Sequence, residues 1–181
     1  MNPKISVNVV TDNTQNLLDQ IESLIKLECL VGVPAQSAKR EDDEDKSGIN
    51  NATIGYLNEH GSPAQNIPAR PHLTPGVTRA KAGIASIMRS IAIQALENKD
   101  KLLAEKGLNE VGLLASTEVK KYITAGTHLA PLSDVTLAKR KADAAKRGIA
   151  YRTSPLIFTG SYVRSIMYVV RKRGETKDAV S

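Results

Sequence analysis

Three histidines, one cysteine and a scatter of carboxylates are the residues of this chain that could do chemistry. Glu59 and His60 are adjacent, which sends their side chains in different directions on a helix. His60, His72 and His128 are far apart, and no pair stands at the i, i+4 spacing of a helical zinc motif. A metal centre would therefore have to be assembled by the fold. The run Glu41–Asp45, "EDDED", lacks the alternating oxygens, turn glycine and final glutamate of a calcium loop. No serine lies in a G-x-S-x-G elbow. "GSPAQN", 61–66, lacks the glycines and lysine of a phosphate loop. Asp134 and Asp143 fall on a basic helical stretch, where solvated ion pairs explain them better than paired acid catalysis. Cys29, the only cysteine, sits in the apolar run "CLVGV" and reads as a buried, inert thiol. The expectation is a protein with no catalytic residues, no cofactor and no metal; a hydrolase is the weakest alternative.

Binding is the better question. Residues 1–60 carry 5 Lys or Arg against 10 Asp or Glu, whereas residues 61–181 carry 20 against 9. Such asymmetry can orient copies of one protein against each other, or hold DNA by its backbone charge. Lys139, Arg140, Lys141, Lys146 and Arg147, with Arg171, Lys172 and Arg173, are the candidate contacts to DNA or an acidic partner. Helix-turn-helix and zinc-finger signatures are missing, so base-specific reading is not expected. Aromatics make up 3% of the chain, which excludes a stacking platform for single strands.

The second binding feature is "NIPARPHLTPGV", 66–77, with prolines at 68, 71 and 75. Each proline fixes its own φ and biases the residue before it toward extended geometry. The segment can therefore hold a shape without a hydrogen-bond ladder. Arg70 could offer its planar fork to a neighbour's carboxylate. Equally, the stretch could be a stiff connector wrapped on its own domain.

These features must be positioned by a single domain, 1–173, with 41% hydrophobic residues and a core of Ile, Leu, Val and Ala. "KISVNVV", 4–10, predicts a strand. Leu17, Leu18, Ile21, Leu24 and Ile25 predict one apolar helical face over 13–27. Residues 28–35 predict a second strand ended by Pro34. The charged stretch 36–50 predicts a mobile acidic loop. A helix over 50–61 would be capped by Asn50 or Asn51 and stopped by Gly61. Thr74 would cap a helix running to about residue 97, with Pro75 in its first turn. After a break at 98–107, helices ending near Gly126 and starting after Ser133 follow, then a short helix over 160–166 capped by Thr159. A strand over 166–171 precedes a polar C-terminal tail, 174–181. The order is strand, helix, strand, helices, strand. No 18-residue apolar stretch and no signal peptide are present, so the expectation is a soluble protein of a reducing compartment, away from membranes.

Four segments together resemble a known family. "NNATIGYLNEHGSP", 50–63, and "NIPARPHLTPGV", 66–77, look like a segment of the phage virion-morphogenesis and tail-component family. "PLSDVTLAKRK", 131–141, and "SPLIFTGSYVRSIMYVV", 154–170, look like its later motifs, a "PL…T…R" segment before "PLI.TG.L..SI". Pro131, Leu132, Thr136 and Arg140 match the first; Pro155, Leu156, Ile157, Thr159, Gly160, Ser165 and Ile166 match the second. Tyr162 stands where leucine is common, and His72 where an aromatic is common. The resemblance implies an α+β fold of the tail-terminator and tail-completion type, a small mostly antiparallel sheet packed against helices, with a long extended loop arm at 61–75. It implies a structural neck or tail-completion protein. Its partners would be identical subunits in a ring, expected to be a hexamer, neighbouring head-connector and tail proteins, and genomic DNA touched non-specifically in the channel. It would reside in the virion neck or head-proximal tail, and in the host cytoplasm during assembly. The implied interface residues are Asn51, Ala52, Glu59, Gly61, Pro68, Ala69, Arg70, Pro71, His72 and Pro75. The alternative is a basic DNA-binding accessory protein without catalytic activity.

Overall fold

The computed structural model describes residues 14–39, 49–97 and 102–175. Among these residues it is an α+β arrangement: six helices and one two-stranded antiparallel sheet. The element order is α1 (Thr14–Lys26), β1 (Leu27–Gly32), α2 (Asn51–His60), α3 (Leu73–Glu97), α4 (Leu103–Ala125), α5 (Asp134–Arg147), α6 (Ser161–Ser165) and β2 (Met167–Lys172), with 3₁₀ turns at Ala35–Ser37 and Pro63–Gln65. The strand expected over 4–10 and the acidic run Glu41–Asp45 lie outside the described residues. No helix among the described residues is long and apolar enough to cross a membrane.

The long helices α3 and α4 pack against each other and form the body. Two glycines set how closely elements meet. A Cβ on Gly76 would lie 2.6 Å from the Cα of Val119. One on Gly112 would lie 2.2 Å from the ring of Tyr168 and 2.9 Å from Cys29 Sγ, so these two side chains of the sheet pack directly on the α4 backbone there. At Gly76 the obstructing atom is backbone and cannot rotate away. Gly76→Ala is therefore expected to destabilise by about 1–3 kcal/mol, overriding the ~1 kcal/mol that alanine gains in a helix; urea unfolding of the variant checks it.

The strands pair from Leu27↔Lys172 to Gly32↔Met167. Cys29, Val31, Tyr168 and Val170 share the face toward α4, since the side-chain period of a strand is two. Leu30 and Met167 are on the other face and are exposed. Across it Arg171 Nε meets Glu28 Oε1 at 2.7 Å. Cys29 is half-buried rather than fully buried, and burial pushes its thiol up.

The core has two centres. Val119, Ile123, Tyr162 and Ile166 join α4 to α6, with Ile54, Leu73 and Val77 packed around them. Ile91, Ala95 and Leu103 form the second, where Leu17 and Leu24 of α1 dock. The expected α1 face is thus only half used: Leu18, Ile21 and Ile25 remain exposed.

The expected break at 98–107 is too long, because Leu103 and Ala104 are already helical and buried. Gly160, at φ 85°, is the N-cap residue of α6, while Thr159 Oγ1 accepts from the Ser161 N–H at 3.3 Å. Ser133 caps α5 as expected, its hydroxyl accepting from the Thr136 N–H at 3.3 Å.

Candidate functional site

The site is a polar cluster where α2, the 61–72 segment, the start of α3, α5 and the 154–162 segment converge. Asn50 Oδ1 accepts from the Thr53 N–H at 2.9 Å and starts α2. This leaves Asn51 facing inward, 1% exposed, with its amide 3.4 Å from Ser161 Oγ. Gly61 ends α2 at φ 75°, a conformation that strains any other residue; its carbonless face lies against Ala69 N, 2.8 Å from where a Cβ would be. The chain then closes a compact loop in which Ser62 and Ile67 exchange both backbone bonds at 2.9 Å. The Arg70 N–H donates to the Asn58 carbonyl of α2.

Of the two paths open to this proline segment, the observed one wraps on its own domain. Arg70 is 7% exposed and does not present its fork outward. Its Nε donates to the Ala130 carbonyl at 2.7 Å and its Nη2 to the Pro131 carbonyl at 2.8 Å, which ties the segment to the α4–α5 connection. His72 is wholly buried. Its Nδ1 is 2.7 Å from the Arg70 carbonyl, which can only accept, so Nδ1 carries the proton. Neutral Nε2 then accepts from the Tyr162 hydroxyl of α6.

Glu59 closes the network. Its Oε2 accepts from the N–H groups of His72 at 2.7 Å and Leu73 at 2.9 Å, and its Oε1 from Thr74 at 3.1 Å. These are orphan donors at the start of α3, where a negative charge also suits the helix dipole. The cap of α3 is thus the Glu59 carboxylate, not Thr74, and the helix begins at Leu73. Burial pushes the Glu59 carboxyl up, but the three N–H donors and His72 outweigh it and hold it below its ordinary value. Burial drives His72 down; the Arg70 carbonyl and Glu59, 3.3 Å from Nδ1, oppose that only in part. Burial, then the Glu59 charge, pushes the Tyr162 phenol up.

Arg140 of α5 completes the cluster. Its Nη1 donates to the carbonyls of Ser154 at 2.9 Å, Ile157 at 3.0 Å and Arg152 at 3.4 Å, and its guanidinium lies over Phe158. It holds the turn in which Leu156 adopts φ 61°.

The expected interface residues therefore divide. Asn51 and His72 are buried away from any partner, and Arg70, 7% exposed, is reached only through the recess it lines. Ala52, Glu59, Gly61 and Pro75 are half-buried, while Pro68, Ala69 and Pro71 are exposed. Among the basic candidates, Lys139, Lys141, Lys146, Arg147, Lys172 and Arg173 are exposed. Arg140 and Arg171 are half-buried and committed to internal partners. The three histidines are apart: His60 meets Tyr56 at a tilt, His128 stacks on Tyr122, and His72 meets Tyr162 edge-on. Among the described residues no group of three or more His, Cys, Asp or Glu could hold a metal ion.

Two members carried no local signal of their role. Tyr162 is 90 residues from His72, and Glu59 caps a helix 13 to 15 residues ahead rather than three. The sequence hint is their placement inside the four resembling segments. No family model, no curated protein and no solved structure matches this chain.

Proposed function

We propose that this chain is a structural virion protein of a tailed phage. It forms a ring, six-fold by expectation, at the head–tail junction or head-proximal tail end, completes the tail and joins it to the head connector. One observation supports the reading most. The four segments that resemble the virion-morphogenesis family, spread over residues 50–170, converge on one cluster and bind one another there. Their polar groups hold backbone in shape: Glu59 on three N–H groups, Arg70 on two carbonyls, Arg140 on three. Rigid display of a loop is what a subunit contact requires, because preordering lowers the entropy lost on association. Pro68, Ala69 and Pro71 are the expected interface residues that this loop displays. Mass measurement of the purified chain, alone and mixed with connector and tail components, tests the reading. A closed ring or a stable joint complex is expected. A chain that stays monomeric at high concentration and binds neither component overturns it.

The exposed bases of α5 favour a second reading, a DNA-binding accessory protein. It expects log affinity for duplex DNA to fall with log salt at ~0.9 per phosphate contacted. Neutralising Lys139, Lys141, Lys146 and Arg147 together would then flatten that slope by about 3–4. Under the virion reading the same variant still joins heads to tails. A salt titration beside a joining assay separates the two.

A further inference from the structure

Arg70 and Arg140 reach one concave site of about 250 Å³ from different parts of the chain. No carboxylate pairs with either among the described residues. Arg70, more than nine-tenths buried, donates through Nε and Nη2 only; Arg140 donates through Nη1 only. Arg70 Nη1 and Arg140 Nε and Nη2 are left without a hydrogen-bond partner among the described residues. Backbone carbonyls orient a guanidinium but do not neutralise it. Burial, and then the charge of Arg70, holds the Arg140 guanidinium below its ordinary value. Two like charges at one site gain from an anion between them, and planar forks suit an oxyanion best.

Asn51, Asn58, Thr159, Ser161 and Tyr162 add polar groups to the wall, and its apolar part says which oxyanion. Ile54, Leu132, Leu156 and Phe158 line the site beside the guanidinium groups. These apolar walls suit methylene groups, which inorganic phosphate does not have. The volume is below the roughly 300–1,000 Å³ of ordinary small-molecule sites. We propose that the Arg70–Arg140 site receives the carboxylate of an acidic side chain of a partner protein, with its stem against Ile54, Leu132, Leu156 and Phe158. Arg70 thus takes a neighbour's carboxylate within a recess, not on an outstretched arm.

The site stands independently of the ring: butyrate can bind an isolated chain that fails to assemble, and assembly can succeed without it. The test uses the full chain labelled with ¹⁵N, following the arginine Nε–Hε signals. Sodium butyrate, which mimics a glutamate side chain, and sodium phosphate are titrated separately at constant ionic strength. Butyrate is expected to move the Arg70 and Arg140 signals saturably, at a severalfold lower concentration than phosphate, while Arg173 stays still. Arg140→Gln is expected to weaken butyrate about tenfold; if that variant does not fold, the wild-type titration decides alone. Tighter binding of phosphate overturns the carboxylate assignment. Absence of a saturable shift, or one shared by all arginines, overturns the site.

Discussion

Replacing His72 by alanine is expected to lower the unfolding free energy by about 3–5 kcal/mol. The ring is wholly buried, so its removal opens a void between α3 and α6. It also strips the Arg70 carbonyl and the Tyr162 hydroxyl of their partner. An unsatisfied buried group costs roughly 1–3 kcal/mol, and two are created. Urea unfolding at neutral pH measures the loss. Tyr162→Phe removes one hydroxyl and keeps the ring, so its effect should be the smaller.

The same histidine makes stability depend on pH. Its folded form is the neutral one, held below the ordinary value of 6.5 chiefly by burial. The unfolded chain therefore takes up a proton first as pH falls. The contribution of His72 is complete above about pH 6.5 and is lost progressively below it. Glu59, also depressed, acts in the same direction further down: its contribution is present above its ordinary value of 4.5 and is lost as pH falls below that. The wild-type urea midpoint should drop between neutral pH and pH 5, and His72→Gln should flatten that drop.

Arg70→Ala is expected to cost about 2–4 kcal/mol and, under the proposed virion role, to abolish head–tail joining. Two bonds from a charged donor are lost, at roughly 1.5–3 kcal/mol each, offset by relief of the buried charge. The larger consequence is local. Arg70 is what fastens the 61–72 loop to Ala130 and Pro131, so its loss frees the loop that the assembly reading uses. Arg70→Lys keeps a charge but not the fork, and should fall between alanine and wild type. Denaturation gives the first number, and complementation of tail assembly gives the second result.

What could be read from the sequence was what neighbouring residues decide. Asn50 and Gly61 mark both ends of α2, and Ser133 marks the start of α5, because a cap acts within a turn of its helix. The exposed bases of α5 follow from the same local pattern. Contacts made across the fold were not legible. Thr74 had the right chemistry for a cap, but Glu59 reaches the free N–H groups from another helix and satisfies three at once. For Arg70 the sequence left an outward fork and a connector wrapped on its own domain equally open; two carbonyls 60 and 61 residues away draw it inward. Arg140 read as one base among five until its turn of carbonyls was in view. The prolines read as stiffeners left the direction of the loop open, and Arg70, His72 and Glu59 decide it.

An electron-microscopy map of the assembled phage neck, with this chain traced in it, tests the assembly role most directly. The expected map shows a ring in which Pro68, Ala69 and Pro71 press on a neighbouring chain, with the Glu59–His72–Tyr162 network intact beneath them. A map in which that loop faces open solvent in every copy, or a particle that lacks the chain, contradicts it.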